Sequence, residues 1–144
     1  MQILLIHGPN LNLLGEREPD VYGSTTMEQI NEMVRKVAET RGITIIAFQS
    51  NHEGSIIDFI HAHRKTAAGI IINPGAYTHY SYAIRDAVAG VNLPAVEVHL
   101  SDIKKREPFR QISVIEPVCV AQVSGLGAQS YVKGFEELLK VIEK

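Results

Sequence analysis

The sequence predicts an α/β fold, a parallel sheet with helices on both faces, and three observations carry that expectation. Short runs rich in Ile and Val alternate with amphipathic stretches along the chain, the pattern of strands covered by helices. Each apolar run is bounded by Gly, Pro or polar residues, as strands are. The length of 144 residues, with 45% hydrophobic and 21% charged, suits one globular domain, residues 1–144, with a sizeable core.

The elements follow in order. Ile3–His7 reads as the first strand. Thr25-Thr26-Met27-Glu28 then supplies a capping box; Ile30, Met33, Val34 and Val37 share one helical face, and Gly42 ends that helix. Thr44–Gln49 is the second strand, Ser55–Lys65 a helix, Gly69–Asn73 the third strand and Tyr80–Ala89 another helix. Ala95–His99 and Val118–Val123 complete five strands, and a last helix lies within Gln129–Lys144, where Tyr131, Phe135, Leu138, Leu139 and Ile142 keep helical spacing. Right-handed crossovers suit a flavodoxin-like order of 2-1-3-4-5, whose crevice opens at the carboxyl ends of strands 1 and 3. The polar, Gly/Pro-marked segments gather at that rim: Gly8-Pro9-Asn10, Asn73-Pro74-Gly75-Ala76-Tyr77-Thr78-His79 and Glu97-Val98-His99-Leu100-Ser101.

Composition narrows the function. A formal net charge of −2 with mixed signs offers no polybasic footprint for nucleic acid. The N-terminus has no basic leader and no apolar run approaches the roughly 20 residues of a spanning helix, so no membrane association and a cytoplasmic location are expected. Cys119 is the single cysteine; its flanks Val118, Val120 and Ala121 mark it as a small buried hydrophobe, and it has no partner for an internal disulfide. There is no Cys/His cluster and no His-Glu-x-x-His, so no metal site is expected. His61 and His63 are two apart on a helix and point about 200° from each other, which prevents joint chelation and suits solvated side chains. Gly125-Leu126-Gly127-Ala128-Gln129-Ser130 lacks a third glycine, and Gly-Lys-Ser/Thr is absent, so nucleotide binding has weak support. Neither a hydroxyl-rich loop for FMN nor the acids of a phospho-receiver follow the strands of the rim.

Several residues then stand out. Glu97 and His99 lie two apart on a strand and therefore on one face, so Glu97 can hold the imidazole. A strand-end histidine is often a packing residue, but the crevice rim favours a general acid or base here. Asn73 and His79 flank a Pro-Gly turn that explains Pro74 and Gly75 but not the polar pair. His7 suits capping or packing, and neither it nor His52 receives a role.

Taken together, Gly8-Pro-Asn-Leu-Asn12, Arg17-Glu-Pro-Asp-Val-Tyr-Gly23, Asn73-Pro-Gly-Ala-Tyr-Thr-His79, Glu97-Val-His-Leu-Ser101 and Arg106-Glu-Pro-Phe-Arg110 closely resemble type II 3-dehydroquinate dehydratase over nearly the whole chain. The resemblance implies dehydration of 3-dehydroquinate to 3-dehydroshikimate through an enolate, in aromatic biosynthesis or quinate breakdown. It implies no metal or organic cofactor, and a dodecamer built from trimers. On the same resemblance Tyr22 is the base at C2 and His99 the acid that protonates the departing hydroxyl. Arg17 activates the tyrosine, Asn10 holds a water at the enolate oxygen and Glu97 orients the histidine. Asn73, His79, Leu100, Ser101 and Arg110 match substrate contacts, Asp86 an acid reaching in from a neighbouring subunit, and Arg106 a position whose role is left open. Tyr80, Tyr82, Asp102 and Lys104 depart from the common pattern at the rim.

The chemistry is physically reasonable. A free tyrosine ionises near pH 10, so a tyrosine base at neutrality requires about 4 kcal/mol of help. A guanidinium about 4 Å from a phenolate contributes about 4 kcal/mol at an effective dielectric near 20. Arg17 and Tyr22 share one loop, and Gly15 and Gly23 let that loop close over a substrate. An imine route would need a lysine at the rim, and Lys36, Lys65, Lys104, Lys105, Lys133, Lys140 and Lys144 all fall on expected helices or exposed loops.

Overall fold

Alternating apolar side chains on the central strands divide the core into two layers. Ile3 and Leu5 of β1 (Gln2–His7), Ile71 of β3 (Ala67–Asn73) and Val96 and Val98 of β4 (Ala95–His99) face one side of the sheet, where α2 (Met27–Glu39) and α5 (Gln129–Ile142) bury them. Leu4, Ile6, Ile70 and Ile72 face the other side, against α3 (Glu53–His63) and α4 (Tyr82–Gly90). Each fully buried Leu or Ile contributes about 1.5–3 kcal/mol, so both layers are needed. With β2 (Thr44–Gln49) and β5 (Ala121–Ser124) at the edges, the five parallel strands run in the order β2-β1-β3-β4-β5. This is the expected α/β topology with helices on both faces. The computed structural model describes residues 1–16 and 18–144; Arg17 lies outside the described residues. No helix among the described residues is long and apolar enough to cross a membrane.

Several boundaries differ from the sequence expectation. The capping box sits one residue later: the Thr26 side chain accepts from Gln29 N–H, and Gln29 Oε1 accepts from Thr26 N–H. Gln29 has the reach of Glu28 and fits the same motif, so spacing alone could not choose between them. α3 begins at Glu53 and α4 at Tyr82, the latter because Ser81 caps Ile84 N–H at 3.0 Å. β5 begins at Ala121 rather than Val118. Pro117 directs Glu116–Val118 into a 3-10 turn, with Val118 and Cys119 packed against the core beneath it. His63 is not simply solvated: its Nδ1 donates to Phe59 O at 3.0 Å and its ring packs on Phe59, while His61 is exposed.

The topology matters because β1, β3 and β4 end on the same side of the sheet, and the turns that follow them meet. A short helix α1 (Pro19–Tyr22) comes between β1 and α2 and carries Tyr22.

Candidate active site

Close packing of two turns makes the floor of the site. Gly8 N–H donates to Asn73 O at 2.7 Å, and a Cβ on Gly8 would lie 2.4 Å from Pro74 O. Any side chain there would therefore drive the ends of β1 and β3 apart. Gly8→Ala is expected to lower stability by about 3 kcal/mol and to reduce kcat/KM as well; urea unfolding and steady-state kinetics check both. Beyond Pro9, Asn10 takes a left-handed conformation (φ 69°), which asparagine tolerates better than most residues. Its N–H donates to Asn51 Oδ1 at 3.0 Å.

The β4 end supplies a buried acid–base pair. Glu97 is completely buried, and its carboxylate accepts from Thr78 Oγ1 at 2.6 Å, Ser113 Oγ at 2.7 Å and Gln122 Nε2 at 3.1 Å. It also pairs closely with His99 Nε2. Burial alone would push the Glu97 pKa up. The bond from His99 and its charge, with the Thr78 and Ser113 bonds, outweigh burial and hold it below the ordinary glutamate range. Because the ionised carboxylate only accepts, His99 Nε2 must donate, and Nδ1 is left for chemistry in the cavity.

That cavity is narrow, about 50 Å³. Asn10, Asn73, His79, His99, Leu100 and Ser101 line it, and Tyr22, Arg106 and Arg110 close it. His79 Nδ1 donates to Ile112 O at 2.8 Å, which leaves Nε2 as the free nitrogen; burial lowers the pKa of the ring. Arg110 donates to Glu107 Oε2 at 2.8 Å. Arg106 Nη1 donates to Tyr22 OH at 3.0 Å, with its guanidinium 5.3 Å from the centre of the Tyr22 ring.

The structure thus brings together nine described residues from the sequence reading: Asn10, Tyr22, Asn73, His79, His99, Leu100, Ser101, Arg106 and Arg110. Glu97 stands behind His99. Asp86 is exposed on α4 and does not line the cavity of its own chain. Arg17 lies outside the described residues.

Other residues were not singled out from the sequence. Gln122 lies opposite Glu97 in the β4–β5 register, so strand pairing could have found it. Thr78 belongs to a recognised motif, but Ser113 lies outside regular secondary structure and gave no signal. His7 is also more than packing. Fully buried, it contacts Asn31 Oδ1 at 2.7 Å and Tyr131 OH at 3.2 Å, and burial lowers its pKa to about 4.

Comparison with known proteins gives the family. The family model described as dehydroquinase class II matches residues 1–139. The 3-dehydroquinate dehydratase of Halothermothrix orenii is 55% identical over 143 residues, covering 99% of this chain and 97% of that one. The crystal structure of the type II dehydroquinase from Butyrivibrio crossotus is similar at a TM-score of 0.93 and 48% identity, covering 96% of this chain and 97% of that one. The type II dehydroquinase from Propionibacterium acnes gives a TM-score of 0.90 at 34% identity, covering 99% of this chain and 97% of that one. With the fold, the rim motifs and the relatives in agreement, the chain belongs to the class II dehydroquinase family.

Proposed function

We propose that Tyr22 and His99 are the base and the acid of the reaction this family catalyses, the dehydration of 3-dehydroquinate to 3-dehydroshikimate. The observation that carries the assignment is their setting: Tyr22 OH accepts from Arg106, and His99 pairs with a buried carboxylate, both at one cavity. Tyr22 removes the proton from the carbon next to the ketone. Arg106 favours this because its hydrogen bond strengthens when the acceptor oxygen carries charge, and Arg17 serves the same base from the same loop. The resulting enolate is stabilised through a water held by Asn10. His99, with Nε2–H on Glu97, delivers a proton from Nδ1 to the departing hydroxyl, and Glu97 stabilises the imidazolium that makes this possible. Proton removal and hydroxyl departure from opposite sides give a trans elimination.

Asn73, His79, Leu100, Ser101 and Arg110 hold the substrate. A cavity of about 50 Å³ is far below the roughly 300 Å³ of an ordinary small-molecule site, so entry requires α1 to swing outward. Gly15 and Gly23, at φ 91° and 80°, are the hinges. The enzyme works in the cytoplasm as a dodecamer built from trimers, with Asp86 entering the neighbouring subunit's site. Exposed Tyr80 and Tyr82 near Asp86 on the chain, at 60% and 63% exposure, support a subunit contact there.

The test is incubation of purified protein with 3-dehydroquinate in the presence of a chelator, following absorbance of the conjugated enone product. Steady product formation is expected, and adding borohydride during turnover should leave activity intact, since no lysine lines the cavity among the described residues. Folded protein that yields no product would contradict the activity, and irreversible loss on borohydride treatment would contradict the enolate route.

A further inference from the structure

A chain of buried polar groups runs from α2 past the end of β1 to α5 and ends on Asn73. The reaction described above uses only its last member. His7 is the final residue of β1 and pairs in register with Asn73, the final residue of β3. Their hydrogen-bond partners, Asn31 of α2 and Tyr131 in the first turn of α5, are also buried.

The hydrogen bonds fix a single direction of donation. Gly75 N–H donates to Asn73 Oδ1 at 3.0 Å, so the amide carbonyl faces that turn. Asn73 Nδ2 donates to Tyr131 OH at 3.0 Å. The contact between Tyr131 OH and His7 Nδ1 is 3.2 Å, and His7 Nε2 lies 2.7 Å from Asn31 Oδ1. Because Asn31 Oδ1 accepts, His7 carries its proton on Nε2. Burial keeps the ring neutral at pH 7, so Nδ1 has a lone pair and accepts a hydrogen bond from the Tyr131 hydroxyl. The Tyr131 oxygen is then free to accept from Asn73. Turning the Asn73 amide over would place an NH2 against Gly75 N–H and set its oxygen against a hydroxyl already committed to His7.

We propose that Tyr131 and His7 are positioning residues for Asn73, locking its amide so that the cavity receives an N–H and never the carbonyl. One amide hydrogen is committed to Tyr131, and the other is the donor Asn73 offers. The pocket at this point therefore selects an acceptor oxygen on the substrate. This rests on the reading of Asn73 as a substrate contact, given above.

Double-mutant kinetics on the whole enzyme with 3-dehydroquinate tests it. Asn73→Ala is expected to raise KM about tenfold, the size of one hydrogen bond. Tyr131→Phe keeps the ring but removes the oxygen, and should raise KM several-fold while kcat stays within about twofold. The double variant should match Asn73→Ala alone, because both act through one amide. If Tyr131→Phe multiplies KM equally in the Asn73→Ala background, or lowers kcat instead, the proposal is overturned while the substrate contact stands. An unchanged KM in Asn73→Ala itself overturns the contact and the proposal with it. Nitrogen-15 NMR of the wild-type imidazoles at pH 7 provides a readout that needs no variant. His7 should carry its proton on Nε2 alone, and a proton on Nδ1 would overturn the proposal.

Discussion

Replacing Tyr22 by Phe is expected to lower kcat by about 10²- to 10⁴-fold, the range for losing a general base, with the protein still folded and still binding substrate. Two features make the loss specific to chemistry. Tyr22 sits on a four-residue helix outside the two core layers, with its ring only partly buried against them, so the ring is preserved and little packing changes. Its hydroxyl is held by Arg106, a side chain only 17% exposed, where a unit charge about 4 Å away contributes about 4 kcal/mol at an effective dielectric near 20. Arg106→Gln should therefore also reduce kcat, by about 10- to 100-fold, the worth of a charged hydrogen bond. Binding of substrate to the inactive Tyr22→Phe enzyme, measured by calorimetry, separates lost chemistry from lost affinity. Wild-type kcat in Tyr22→Phe would assign the base elsewhere.

Glu97→Gln is expected to lower both turnover and stability. The buried carboxylate accepts from Thr78, Ser113, Gln122 and His99. An amide of the same shape must turn an NH2 toward some of those donors, and His99 loses the negative charge that supports its imidazolium. Removing the charge of a buried, fully hydrogen-bonded carboxylate costs about 3–5 kcal/mol, and kcat should fall by about 100-fold or more as His99, the proposed acid, loses its support. The stability loss depends on pH in a set direction. The folded Glu97 carboxyl has a lowered pKa against an ordinary value of 4.5, so between the two values the unfolded chain binds the extra proton. The carboxylate's contribution is complete above pH 4.5 and is lost as pH falls through the folded value. Urea unfolding of wild type and variant should therefore give a large difference at pH 7 that narrows once the pH drops below 4.5.

Much of the fold is legible because apolar periodicity reports which face of each element is buried. Ile30 and Val34 on α2, and Phe135 and Leu138 on α5, are core residues on the expected faces. Periodicity is less informative where apolar residues do not form a strand. Val118 and Cys119 pack against the core from a Pro-directed turn, so the edge strand starts later than its composition suggests.

For the site, the same logic brought three strand ends to one rim but could not say which polar atoms meet there. Arg106 lies 84 positions from Tyr22, and Tyr131 lies 124 from His7. Neither distance leaves a trace in local spacing. A buried Asn31 on the apolar face of α2 is the nearest thing to a local clue, because a polar residue at a core position requires a partner.

The division of labour between Tyr22 and His99 is tested most directly by hydrogen exchange at the substrate carbon beside the ketone, followed by NMR in deuterium oxide. His99→Ala should exchange that hydrogen while forming little product, because the base still makes an enolate that no acid carries forward. Tyr22→Phe should do neither. Exchange in Tyr22→Phe at the wild-type rate would contradict the assignment of Tyr22 as the base.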